Sequence, residues 1–178
     1  MDFTSRVLIV PGLGNSGEQH WQSLWERQFP NFERVGQTEW DAPVCEDWIS
    51  KLDQVVMVGD PSTVLLVGHS LACSTIAYWA NTFQRPIKGA LLVAPSDTEA
   101  DSYPSGTIGF SPVPLSKLPF PSIVVASTDD FYVSLGRATL FARAWGSELV
   151  NIGSAGHVNV ASGYGDWPEG LALLKKLD

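Results

Sequence analysis

The chain has 178 residues, 44 % of them hydrophobic and 17 % charged, with a formal net charge of −8 at pH 7. That length bounds the answer to one domain, residues 1–178, with room for a substantial core. The acidic balance speaks against nucleic acid and anionic membrane as partners, since both need basic patches, and no apolar run approaches the roughly 20 residues of a membrane span.

Residues 1–6 lead straight into a strand, so no secretory signal is read and a cytoplasmic protein is expected. Arg6, Val7, Leu8, Ile9 and Val10 form that short buried strand. Pro11-Gly12-Leu13-Gly14-Asn15-Ser16-Gly17 follows as a glycine-rich loop. It lacks both the G-K-[ST] ending and the G-x-G-x-x-G order of nucleotide-binding loops. Its backbone is instead placed to donate to an oxyanion, with the Leu13 N–H as candidate. Residues 18–29 read as a helix, in which Trp21, Leu24, Trp25 and Phe29 recur at helical spacing for core packing. Trp21 is also a possible pocket wall. His20, beside the loop, suits a cap or packing role, with a substrate contact as the alternative.

Residues 33–38 are polar enough for an edge strand. Asp41, Ala42 and Pro43 read as a helix start, with an Asp cap and Pro in the first turn. Trp48, Leu52, Val55 and Val56 mark one face of that helix. Gly59, Asp60 and Pro61 end it. Val64, Leu65, Leu66 and Val67 then run into Gly68-His69-Ser70-Leu71-Ala72, and residues 71–82 read as a helix. A strand, a sharp turn with serine at its apex, and a helix make a nucleophile elbow. The strained turn needs small neighbours, which Gly68 supplies and Ala72 supplies in place of the usual glycine. The helix N-terminus and the Leu71 N–H would face a developing oxyanion. His69 is read as packing or hydrogen bonding within the turn.

Residues 89–94 are the next buried strand. Residues 95–119 form one long loop rich in Ser, Gly and Pro, of the kind that carries function in compact domains. Tyr103 and Phe110 are its candidate pocket residues. Residues 122–126 are a strand that ends in Ser127-Thr128-Asp129-Asp130, and Ser134 caps a helix through Trp145. Residues 148–152 are the last strand, with Gly156-His157-Val158 in the loop beyond it. Asp166, Trp167, Pro168 and Glu169 open a final helix that ends in Lys175 and Lys176, charges that suit the helix dipole. Cys45 and Cys73 do not make a disulfide framework and read as free, partly buried thiols.

Strands alternating with helices predict an α/β fold of three layers. In it a mostly parallel sheet of about six strands is covered by helices on both faces. A serine hydroxyl is a weak nucleophile that needs a base and a carboxylate to orient the base. Ser70, Asp130 and His157 arrive in the order Ser, acid, His, on loops after successive strands, where parallel sheets bind ligands. Asp129 and Asp97 are the alternative acids. Three scattered histidines, without H-x-x-x-H or C-x-x-C, do not suggest a metal site, and no cofactor is expected.

Gly68-His69-Ser70-Leu71-Ala72, Ser127-Thr128-Asp129-Asp130, Trp145-Gly146-Ser147 and Ala155-Gly156-His157 together resemble the retinoblastoma-binding protein 9 / YdeN family of small serine hydrolases. Pro11-Gly12 with His20-Trp21, and Gly163-Tyr164-Gly165-Asp166-Trp167-Pro168, extend the resemblance over nearly the whole chain. It implies a compact α/β-hydrolase fold and a triad on Ser70, Asp130 and His157. Phe131 departs from the proline that often follows the acid. The L-x-C-x-E motif tied to the family's protein partner lacks its Glu in Leu71-Ala72-Cys73-Ser74-Thr75, so that binding is not carried over. The expected activity is hydrolysis of a small ester, thioester or amide, with a small-molecule acyl substrate as partner. The alternatives are a serine peptidase or aminopeptidase, and a catalytically weak protein-binding member of the fold.

Overall fold

The computed structural model describes residues 2–178. Met1, the first residue of the stretch read as leading into a strand, lies outside them. Six strands form one parallel sheet: β1 (Arg6–Val10), β2 (Phe32–Arg34), β3 (Val64–His69), β4 (Gly89–Val93), β5 (Ser122–Ala126) and β6 (Glu148–Asn151). Their spatial order is β2-β1-β3-β4-β5-β6. Five helices cover the sheet: α1 (Trp21–Gln28), α2 (Cys45–Val56), α3 (Leu71–Phe83), α4 (Leu135–Trp145) and α5 (Pro168–Lys175). Among the described residues no helix is long and apolar enough to cross a membrane.

Strand side chains alternate between faces, and this alternation divides the core. Leu8 and Val10 of β1 face a cluster with Trp48 and Leu52 of α2, Ile76 and Trp79 of α3, and Phe141 and Trp145 of α4. Val7 and Ile9 face the opposite cluster, with Trp21 and Trp25 of α1 and Leu171 and Leu174 of α5. There the Trp25 and Trp167 rings stack at 5.8 Å. β1 has β2 on one side and β3 on the other, so the chain reverses its direction of travel at β1. A crevice opens at the carboxyl ends of β1 and β3, the expected place for a ligand.

Several element boundaries differ from the sequence reading. α1 begins at Trp21 rather than at residue 18, because His20 is its N-cap and Nδ1 accepts from the Gln22 N–H. α2 is not capped by Asp41. It starts at Cys45 behind Val44, which has no capping side chain. The reason is a bridge between Val44 and Ile108. The Ile108 N–H donates to Pro43 O and the Cys45 N–H donates to Ile108 O, both at 2.9 Å, which holds Val44 extended until the helix begins. β2 is indeed at the edge but spans only three residues.

Candidate active site

The elbow is a backbone feature before it is a chemical one. Ser70 has φ 60° and ψ −124°, a conformation that costs a non-glycine residue strain and persists only where its surroundings demand it. A Cβ on Gly68 would lie 2.7 Å from Ile76 Cδ1, so a larger residue there would displace the tip of Ile76 where β3 and α3 approach. Ala72, fully buried, fits at the other side. The Ser70 N–H donates to Val93 O at 2.9 Å, which ties the elbow to the end of β4.

Three predicted residues meet at the carboxyl edge of the sheet. Ser70 Oγ lies 2.9 Å from His157 Nε2, and His157 Nδ1 lies 2.9 Å from both oxygens of Asp130. The Asp130 side chain is fully buried and that of His157 nearly so. Asp130 Oδ1 also accepts from the Tyr132 N–H at 2.8 Å, and the Tyr132 ring packs on the His157 imidazole with centroids 4.6 Å apart. Asp129 does not face the imidazole. Its Oδ1 accepts from Ser127 Oγ at 2.7 Å and from the Gly156 N–H at 2.8 Å. Those two bonds hold its carboxyl below the usual range and pin the loop that carries His157. Asp97 is ion-paired with Arg137 at 3.2 Å.

The oxyanion candidates lie on apposed backbones. Leu71 is the first residue of α3, and Leu13 lines the cleft. A Cβ on Gly12 would fall 2.7 Å from His69 O, 3.0 Å from Ser70 Cβ and 3.2 Å from Leu71 N, so the loop lies directly against the elbow. The Gly14 N–H is used by Trp40 O and the Asn15 N–H by Gly12 O, whereas neither the Leu13 nor the Leu71 N–H donates to another described residue.

The other two histidines line the same cleft. His69 Nε2 donates to His157 O at 2.9 Å, a bond across the site rather than within the turn. His20 accepts at Nδ1, so its neutral form carries the proton at Nε2, which is buried with no hydrogen-bond partner among the described residues. The His20 and His69 rings are 4.8 Å apart, and those of His69 and His157 are 4.9 Å apart. Burial pushes His20 down to about 4, helped by the charges of Arg34 and His157. Burial, then the neighbouring imidazoles, also lower His69 well below its ordinary range. Both rings are therefore neutral at pH 7, so neither places a positive charge beside the His157 ring.

The cleft encloses about 200 Å³, with Asn15, Ser96, Tyr103, Pro104, Tyr132 and Asn159 among its lining. Tyr103 and Pro104 bring the long loop to the site. Phe110 does not line it: this ring is 1 % exposed and packs edge-on against Trp48 at 5.8 Å, because the loop tucks it beneath α2. Trp21 is no pocket wall either. It is fully buried, and its Nε1 donates to Val158 O at 2.8 Å, bracing the residue after His157. Sequence reasoning missed Ser96, whose Oγ is 2.7 Å from Ser70 Oγ. The signal available was its position just beyond the carboxyl end of a parallel strand. Among the described residues no group of three or more His, Cys, Asp or Glu is placed to hold a metal ion.

A family profile described as serine hydrolase matches residues 7–176. Among solved structures, a YdeN-like hydrolase from Pectobacterium atrosepticum is 34 % identical and superposes with a TM-score of 0.84, over 96 % of this chain and 89 % of that one. The ydeN gene product of B. subtilis is 21 % identical, with a TM-score of 0.76 over 98 % of each chain. Esterase 2 of Thermogutta terrifontis, solved as its cyclosarin phosphonyl adduct, shares the fold at 19 % identity, with a TM-score of 0.70 over 98 % of this chain and 82 % of that one. A search of curated protein sequences returned no match.

Proposed function

Since this chain belongs to the serine hydrolase family and is a hydrolytic enzyme of the α/β-hydrolase fold, we propose that it cleaves a small ester, thioester or amide through an acyl-enzyme formed on Ser70. One observation carries this reading: the unbroken line from Asp130 through His157 to Ser70, with 2.9 Å at each link. In the proposed cycle His157 Nε2 takes the Ser70 proton as Oγ attacks the carbonyl carbon. Asp130 holds the imidazole in the tautomer with the proton on Nδ1 and stabilises the imidazolium that forms. The Leu13 and Leu71 N–H groups receive the oxyanion, at the positive end of α3. His157 then protonates the leaving group, and water repeats the sequence in reverse to release the acid. Every step uses water and groups of this chain.

The cleft volume of about 200 Å³ favours a short acyl group. Among the described residues no carboxylate stands in its lining to receive the α-ammonium of a peptide, which disfavours the aminopeptidase alternative. The two cysteines are free and buried, which suits a reducing, cytoplasmic setting.

The test is labelling with a fluorophosphonate probe, followed by p-nitrophenyl esters of increasing chain length. Wild type is expected to label and Ser70→Ala to lose labelling entirely, with turnover falling steeply beyond short acyl chains. Folded wild type that fails to label would sink the acyl-enzyme reading and favour a binding role for the fold.

A further inference from the structure

Ser96 is a polar side chain that the cycle above leaves unused. It follows β4, is 1 % exposed, and places its Oγ 2.7 Å from Ser70 Oγ. The direction of that hydrogen bond follows from counting protons. A carboxylate only accepts, so His157 Nδ1, which faces both Asp130 oxygens, carries the imidazole proton. Nε2 is then a lone pair, and the Ser70 hydroxyl donates to it. A hydroxyl has one hydrogen. With the Ser70 hydrogen committed, the Ser96 O–H is the donor and Ser70 Oγ the acceptor.

The turn that carries Ser96 is held to this geometry. Ala94 sits at φ 49°, a left-handed conformation unfavourable for a residue with a Cβ. Its N–H is bound by Val125 O at 2.9 Å, and the Asp97 N–H is bound by Tyr132 O at 2.9 Å. Ser96 is thus tied to the segment that presents Asp130.

We propose that Ser96 is a catalytic residue of deacylation, donating its hydrogen bond to Ser70 Oγ as that oxygen leaves the acyl group. The proposal rests on the reading of Ser70 as nucleophile. In deacylation, water bonds to the acyl carbon and passes one proton to His157 Nε2. The bond from the acyl carbon to Ser70 Oγ then breaks, and its electron pair stays on Oγ. Oγ recovers the proton from His157, so ester and water become acid and free serine, and Ser96 keeps its own proton throughout. The ester oxygen of the acyl-enzyme is a poor acceptor, whereas the departing Oγ is a strong one. A donor already in place therefore gains strength in the transition state of this step. In acylation Oγ begins as a hydroxyl oxygen, already a good acceptor, and the gain is smaller.

The experiment is a rapid-quench single turnover of p-nitrophenyl acetate, with the acyl-enzyme on Ser70 followed by intact mass. In Ser96→Ala the acyl-enzyme should decay about tenfold more slowly, while its formation changes by less than about threefold. Ser96→Thr keeps a hydroxyl and should decay close to the wild-type rate. Equal lifetimes in wild type and Ser96→Ala would overturn the proposal. So would formation slowed as much as decay, or a Thr variant as slow as the Ala variant. If wild type forms no adduct on Ser70, the nucleophile reading itself fails and takes this proposal with it. An adduct with an unchanged lifetime in Ser96→Ala sinks only the role of Ser96.

Discussion

Asp129 and Asp130 are the same side chain one residue apart, and only their neighbours separate their roles. Asp130 has both oxygens on His157 Nδ1, whereas Asp129 spends an oxygen on Ser127 and on the backbone of Gly156. In the proposed triad, removing Asp130 frees the imidazole to adopt the wrong tautomer, while removing Asp129 only loosens the loop that carries it. Asp130→Ala should therefore lower kcat/KM on p-nitrophenyl acetate about a thousandfold or more, and Asp129→Ala by less than about tenfold. The reverse order would reassign the acid. His157 stands out in the chain because it is one of three histidines and lies in a loop after the last strand, and the structure places it between Ser70 and Asp130. The family resemblance points to Asp130, but identical adjacent side chains carry no local mark of which one turns inward. Ser96 carried only a positional signal, its place just beyond β4, since a serine in a Ser- and Pro-rich loop comes beside Ser70 only when β3 and β4 pair.

At the scale of elements, strands were legible wherever a run of apolar residues is buried on both faces, as in β3, β4 and β5, each buried throughout. The start of α2 was not, because the bridge from Val44 to Ile108 depends on a partner far along the chain. The packing of the Gly12 loop on the elbow is equally non-local, and it supports a sharp contrast between two glycines. A methyl on Gly68 meets the flexible tip of Ile76, which can rotate away. A methyl on Gly12 meets the carbonyl of His69 and the N–H side of Leu71, both backbone, so the loop itself must retreat and carry the Leu13 N–H with it. In the oxyanion-hole role proposed for that N–H, loss of one donor costs on the order of a hundredfold in kcat. Gly12→Ala should show that loss with a modest change in urea midpoint. Gly68→Ala should be the milder of the two in activity, and more so when combined with Ile76→Val. Equal kinetic loss in both variants would mean that the loop is not held by the elbow.

Over the whole molecule, acid should act through groups kept in unfavourable protonation states, more than through net charge. Protonation as the pH falls relieves part of the −8 charge, and by itself that reduces self-repulsion. Surface charges are screened within about 8 Å at physiological ionic strength, whereas buried groups are not. His20 falls from its ordinary 6.5 to about 4 on folding, chiefly by burial. Between those values the unfolded chain binds the proton and the folded one does not, so stability rises with pH across this window and is lost as pH falls through it. The gap corresponds to about 3 kcal/mol at most. His69 shifts in the same direction and adds to the loss. A second window opens below the ordinary 3.8 of a carboxyl, at Asp178. Burial alone would raise this group, but Lys175 and the Ser5 and Thr4 bonds outweigh it and hold it low. Its contribution is present above 3.8 and disappears as the pH drops further. Urea unfolding at a series of pH values should therefore show stability falling from pH 6.5 toward 4, well before the carboxyl range. His20→Asn keeps an acceptor for the Gln22 N–H and removes the titration, so its stability should change less over the same interval. A slope identical to wild type would mean that the acid sensitivity arises elsewhere than at this buried ring.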